Sequence, residues 1–108
     1  MAEPTFRYHL LFRPENAEVP VNVIALLQSS GPTQAVIWDR PTSAWTFRPD
    51  VATAVLYASP ERHLTRAVDR VTTERETVHF ATVPLPTEAE LTEICRLAES
   101  TRSRNGRT

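Results

Sequence analysis

An alternation of apolar and polar side chains near the start of the chain most constrains how it folds. The aromatic and aliphatic residues fall at every second position, namely Phe6, Tyr8, Leu10 and Phe12. Arg7, His9 and Arg13 fill positions between them, and only Leu11 breaks the rule. A period of two is typical of a half-buried strand, with one face on a core and the other in water. The sequence therefore predicts a strand that Pro14 ends, and a second layer that covers its aromatic face.

The segment 21–28 is apolar but has no clear period. Its alanine and leucines suit a short helix that begins near Pro20, while its valines and isoleucine suit a strand. We favour the strand, because it would then pair with the next apolar run through the Ser-Ser-Gly-Pro turn at 29–32. The polar residues 14–20 are expected to form a loop. The helical alternative for 21–28 stays open at this point.

Two short runs rich in β-forming residues predict a hairpin. Residues 35–38 and 44–47 flank Asp-Arg-Pro-Thr-Ser at 39–43, which has turn composition. Trp38 and Trp45 stand on either side of this turn and would meet across the two strands. Buried, the pair would be core under the hairpin; exposed, the pair would suit a protein interface.

Helical patterns dominate after Phe47. Asp50 is expected to cap a short helix over 51–58, and Ser59 a second one with Pro60 at its first position. In the second helix one face would hold four apolar residues, and Arg62, Arg66 and Arg70 would form a separate ridge; the apolar residues are Leu64, Ala67, Val68 and Val71. A strand over 64–71 would place arginines on the apolar face, so we reject it.

Two capping boxes predict further helices. Thr73 with Glu76 would open a third helix that ends near Ala81, and Thr87 with Glu90 would open a last one that ends near Glu99. Between them, Pro84 and Pro86 mark a linker. The last helix carries an apolar face made of Leu91, Ile94, Cys95 and Ala98.

Together these elements predict an α+β fold, with a small antiparallel sheet over about residues 5–47 followed by three or four helices packed on one face. A chain of 108 residues fits one domain, which we place at 1–100. Residues 101–108 hold three of the twelve arginines and no acid, so we expect a disordered basic tail. Residues 1–100 carry nine arginines against thirteen acids, a balance that disfavours nucleic acid as a partner.

The absence of an apolar leader, of a long apolar run and of paired cysteines predicts a cytoplasmic protein without a membrane segment. We also expect no bound metal and no cofactor. His9, His63 and His79 lack metal-ligand spacing, and a single Glu76–His79 pair is too little for a helical metal site. Only two glycines are present, so a glycine-rich phosphate loop is excluded. Cys95 on an apolar helix face predicts an inert thiol.

No motif of a reaction is recognisable, so we expect a small non-catalytic protein that binds another protein, as an immunity protein, an antitoxin or an adaptor does. Its predicted interface is the hairpin, with Trp38, Arg40, Trp45 and Arg48 as the main contacts. One alternative is a metal-independent ribonuclease that uses the Arg7, His9 and Arg13 face of the first strand, since histidine transfers protons and arginine stabilises phosphoryl charge. A weak nucleic-acid-binding module that uses the basic tail is the other alternative.

Overall fold

The computed structural model describes residues 5–28, 33–58 and 64–105. Within them the chain forms an antiparallel sheet of five strands and three α-helices, so the predicted α+β class is confirmed. The strands are β1 Thr5–Arg13, β2 Asn16–Gln28, β3 Gln34–Asp39, β4 Ala44–Phe47 and β5 Leu64–Val68. The helices are α1 Pro49–Thr53, α2 Arg70–Thr77 and α3 Glu88–Asn105, and a π-helical segment, Ala54–Ala58, continues α1.

The first four strands follow one another across the sheet, whose order is β4-β3-β2-β1-β5. The predicted first strand and the predicted hairpin are confirmed, and 21–28 is strand rather than helix. The predicted loop over 14–20 is wrong, because β2 already begins at Asn16. Pro20 fits inside β2 because the pairing with β1 is irregular around Phe12, and an irregular ladder tolerates a residue without an N–H.

The predicted helix over 60–71 is wrong, because residues 64–68 form β5 and pair with β1. Arg66 stands opposite Leu10 on the aromatic side of the sheet, where the alternation argument forbade an arginine. Its guanidinium carbon lies 5.1 Å from the centroid of the Phe12 ring. At a sheet edge an arginine can cover an aromatic ring with its charge still in water, which removes the objection to a strand.

The arginine ridge predicted for that helix is also wrong, since Arg66 belongs to β5 and Arg70 to α2. Arg62, together with the predicted cap at Ser59 and Pro60, lies outside the described residues, as does the turn at 29–32.

Helices α1 and α2 begin at residues other than those predicted. Asp50 is not the cap of α1, which begins at Pro49 with Arg48 before it; a proline suits this place because a first-turn N–H has no helical partner. Thr73 is not the cap of α2 either. Asp69 takes that role and accepts a hydrogen bond from the Thr72 backbone N–H (2.8 Å), so α2 begins at Arg70.

The capping box of the last helix is confirmed. The Thr87 backbone N–H donates to Glu90 Oε1 (2.9 Å), and the Glu90 backbone N–H donates to Thr87 Oγ1 (3.1 Å). Leu91 and Cys95 are buried on the predicted apolar face. The helix continues to Asn105 instead of ending near Glu99, so helical backbone occupies 101–105 of the segment expected to be disordered; 106–108 lie outside the described residues.

Helical side chains pack on both sides of the sheet. On the aromatic face, which carries Tyr8 and Leu10, the core includes Leu91 and Cys95 of α3. On the opposite face, which we call the isoleucine face because it carries Ile24 and Ile37, the core includes Ala52 of α1. The expected packing of all helices on one face is therefore not confirmed. This arrangement buries the central part of β2 and most of β3, and among the described strands β4 and β5 form the two edges of the sheet.

Candidate functional site

The best-connected polar cluster joins β1 to the first residues of α2 and α3. The Tyr8 hydroxyl donates to Glu88 Oε2 (2.7 Å) and accepts from Arg70 Nη1 (3.1 Å). Arg70 also donates through Nε to Glu74 Oε2 (2.7 Å), and its guanidinium lies 5.7 Å from the centre of the Tyr8 ring. Each of these polar groups is thus engaged within the protein.

The environment of Tyr8 keeps its hydroxyl protonated. Burial raises the pKa of Tyr8 to about 12; the hydrogen bond from Arg70 opposes this shift, and the one to Glu88 adds to it. A phenol with such a pKa is not a proton acceptor near neutral pH. The cluster therefore serves to join three elements, and sequence analysis missed it because its members lie 62 and 80 positions apart along the chain.

The residues of the ribonuclease alternative lie on the other side of β1. His9 is half-buried on the isoleucine face, between Ile24 of β2 and Ala67 of β5. Burial, and secondarily the charge of Arg7, lower the pKa of His9, so the ring is mostly neutral at pH 7. Arg7 and Arg13 are six positions apart on an extended strand, or about 20 Å, which is too far for both to act on one phosphate beside His9.

Other reactive side chains are equally isolated. Cys95 is buried, and burial raises the pKa of its thiol to about 11, with Glu99 as a smaller cause. His79 Nε2 lies 3.6 Å from Glu76 Oε2, the pairing suggested by their spacing. Across the described part of the chain, no three His, Cys, Asp or Glu side chains are grouped to hold a metal ion. His63 lies outside that part.

The two tryptophans of the hairpin meet as expected. Trp38 is opposite Trp45, and their ring centroids are 5.3 Å apart in an edge-to-face arrangement. Trp38 is only 3% exposed, which supports its alternative role as a core residue. Trp45 is half-buried, and its indole N–H donates to the Val83 backbone carbonyl (3.2 Å). Of the pair, Trp45 is the one that borders the surface.

The two arginines of the predicted interface are each bonded within the protein. Arg40 is in the turn and donates to the Val21 carbonyl (3.2 Å). Arg48 follows β4 and forms an ion pair with Asp50 (3.2 Å). Side chains two positions apart on a strand lie on the same face of the sheet, so Arg48 shares the isoleucine face with Thr46. Trp45 lies on the aromatic face. Arg48 and Trp45 therefore lie on opposite faces of the sheet.

An apolar groove lies beside Trp45, where α2 ends and the chain crosses to α3. It encloses about 430 Å³, and its lining includes Val78, Val83 and Leu85 with Glu74 as its charged member. Val78 is 75% exposed, and Val71, one residue into α2 and seven positions earlier, is 70% exposed. Val78 directly follows the last residue of α2 and keeps a helical backbone conformation, so it falls on about the same side of the helix axis as Val71, seven positions earlier. We call Val71, Val78, Val83 and this groove the valine surface.

The valine surface is not apparent from the sequence. The sequence pattern predicts Val71 on the buried face of a helix over 60–71, whereas it stands in the first turn of a helix that begins at Arg70. Because the predicted helix begins at the wrong residue, the side of the helix predicted to be buried differs from the side that is buried in α2. Only a correct assignment of Asp69 as the cap would have revealed the two outward valines.

Comparison of the chain with models of known protein families, with curated proteins and with solved structures finds no match. Within the described residues, no helix combines the length and the apolar character that crossing a membrane requires.

Proposed function

We propose that this protein is a non-catalytic binding protein that docks onto another protein through the valine surface. The observation that carries the proposal is the exposure of three valine side chains, Val71, Val78 and Val83, two of which line an apolar groove. Val78, which directly follows α2, lines a groove that is mainly apolar, and Val71 is exposed in the first turn of the same helix. Exposed aliphatic side chains around a groove are typical of sites that bind a partner.

The state of the polar residues supports binding over catalysis. Arg70 and Glu88 are both hydrogen-bonded to the Tyr8 hydroxyl, and the two arginines that flank His9 are far apart along β1. Catalysis needs a proton donor or acceptor within hydrogen-bond reach of a reacting atom together with a group that stabilises charge there. The described groups are arranged as structural contacts instead.

The groove sets the chemistry of the partner. Its walls come from Thr77, Val78, Ala81 and Leu85, so it accepts an aliphatic or aromatic side chain. Glu74 at its rim is 53% exposed although it pairs with Arg70. The partner segment that fits is therefore an apolar residue followed or preceded by a basic one. Trp45 borders the same surface, while contacts by Arg40 and Arg48 stay a prediction from the sequence.

The test compares wild-type protein with the variants Val78→Asp and Val83→Asp. A charge in the groove should weaken binding at least tenfold, since an unpaired carboxylate buried in an interface costs more than about 1.4 kcal/mol. Val19→Asp is the matched control, because Val19 is an exposed valine on β2, away from the groove. Partners captured from cells are purified, and their affinity for each variant is measured by calorimetry.

Loss of affinity in both groove variants with retention in Val19→Asp would support the proposal. Circular dichroism and urea unfolding of each variant separate loss of binding from loss of fold. Equal affinity of a purified partner for wild-type protein and for Val78→Asp would refute this placement of the interface.

A further inference from the structure

Strand β4 forms one edge of the sheet, and its free backbone groups can be identified. The Arg48 backbone N–H donates to the Ala35 carbonyl (2.9 Å), which makes these two residues a hydrogen-bonded pair. Hydrogen-bonded and non-hydrogen-bonded pairs alternate along an antiparallel ladder. The pair of Phe47 with Val36 is therefore not hydrogen-bonded, and the pair of Thr46 with Ile37 is. The N–H and C=O groups of Trp45 and Phe47 consequently point away from β3, toward the outer side of β4, where the sheet has no further described strand.

The sequence of β4 is complementary to itself in the antiparallel direction. If a second copy pairs with β4 around a two-fold axis at Thr46, Trp45 stands opposite Phe47 of the other copy. Both residues present outward backbone groups, so each such pair exchanges two hydrogen bonds. The aromatic side chains then meet on one face and the Thr46 side chains meet on the other, and cross-strand pairs of both kinds stabilise sheets. Ala44 stands opposite Arg48, so no like charges face each other.

The other edge strand of the sheet, β5, is not complementary to itself in this way. β5 holds Arg66 at its centre, so antiparallel pairing of two β5 strands over their full length would set Arg66 against itself. Like charges directly opposite each other destabilise a strand pair, and a charge on an edge strand is a common protection against such pairing. β4, by contrast, carries no charged residue from Ala44 to Phe47.

We propose that two copies of this chain pair through β4 and form one continuous sheet of ten strands. This interface goes beyond the proposed function, because its partner is the same chain and its contacts are backbone groups outside the valine surface. A four-residue strand buries less area than the roughly 1,200 Å² of a stable standard interface. The dimer is therefore weak and depends on protein concentration.

The test uses analytical ultracentrifugation over about 10 µM to 1 mM protein, a range that covers weak affinities. Wild-type protein should pass from monomer to dimer. Thr46→Lys and Thr46→Glu should each associate at least tenfold more weakly, since residue 46 faces its own copy across the axis. An equimolar mixture of the two variants should recover the dimer, because lysine then faces glutamate. Thr65→Lys, the same substitution on the exposed side of β5, should leave association unchanged.

A second measurement needs no variant. Amide hydrogen exchange at Trp45 and Phe47 should slow with rising concentration, while the inward amide of Thr46 keeps a constant rate. A wild-type chain that stays monomeric over the whole range refutes the dimer. Association that is indifferent to Thr46→Lys, or a mixture that fails to recover it, refutes the register at Thr46 and with it the proposed pairing.

Discussion

Replacement of Tyr8 by phenylalanine isolates the polar cluster that joins β1 to two helices. The substitution keeps the buried ring, which is 2% exposed, and removes one hydrogen bond to Glu88 and one from Arg70. Hydrogen bonds to charged groups contribute about 1.5–3 kcal/mol each, and the partly solvated Arg70 and Glu88 recover part of that from water. We therefore expect Tyr8→Phe to lower the free energy of unfolding by about 2 kcal/mol. In a domain of this size the melting temperature would fall by roughly 8–16 °C.

Tyr57→Phe is the matched control for this measurement. Tyr57 is 71% exposed on the π-helical segment, so losing its hydroxyl should change the free energy of unfolding by less than about 0.5 kcal/mol. Both variants are compared with wild-type protein by urea unfolding at pH 7. Equal stability of Tyr8→Phe and Tyr57→Phe would show that the cluster adds nothing to the fold, and the reasoning from its geometry would fail.

The same pair of proteins gives a test at high pH. The pKa of Tyr8 is raised from 10 to about 12 in the fold, so above pH 10 the unfolded chain releases a proton that the folded chain still holds. The contribution of the raised pKa is complete below pH 10 and is lost between pH 10 and about 12. The stability difference between wild-type protein and Tyr8→Phe should shrink over that range. A difference that stays constant would contradict the raised pKa.

Two further results are expected. Cys95 should react with a disulfide reagent at pH 8 far more slowly than a free thiol and at the normal rate in denaturant, because burial raises its pKa to about 11; fast labelling of folded protein would contradict this. Purified protein should not cleave RNA in the presence of EDTA, since the flanking arginines of β1 do not converge on His9; metal-free cleavage that His9→Ala abolishes would favour the ribonuclease alternative.

The elements that the sequence predicts correctly carry their information locally. In β1 the aromatic side chains alternate strictly, and in α3 Thr87 and Glu90 bond each other as the capping box requires. The hairpin of β3 and β4 follows from two short β-forming runs around a turn, which Ser43 closes with φ of 50°. Each of these features needs only neighbours within a few positions.

The wrongly predicted region shows what local patterns lack. Residues 64–71 satisfy a helical period, yet 64–68 form a strand because β1 offers a free edge about 60 positions earlier in the chain. Tertiary pairing overrides a local preference in such a case. The position of Arg66 over Phe12 depends on the same contact and is invisible in the sequence.

The candidate site follows the same rule. The meeting of Trp38 with Trp45 could be predicted because they flank one turn. The hydrogen bond from the Trp45 indole to the Val83 carbonyl could not be predicted, since the two residues are 38 positions apart in the chain. The cluster of Tyr8, Arg70 and Glu88 depends on the late strand β5, which brings α2 beside β1.

The place of β5 next to β1 also has a consequence for how the chain reaches its native state. Strands β1 to β4 can pair through successive hairpins, and each short connection costs little loop-closure entropy. Pairing of β5 with β1 costs more, because Tyr8 and Val68 are 60 positions apart in the chain. We expect the four-strand meander to form early and β5 to dock late. During that interval the outer edge of β1 offers unpaired amides beside aromatic rings, which is where self-assembly into aggregates would start and where a chaperone would bind.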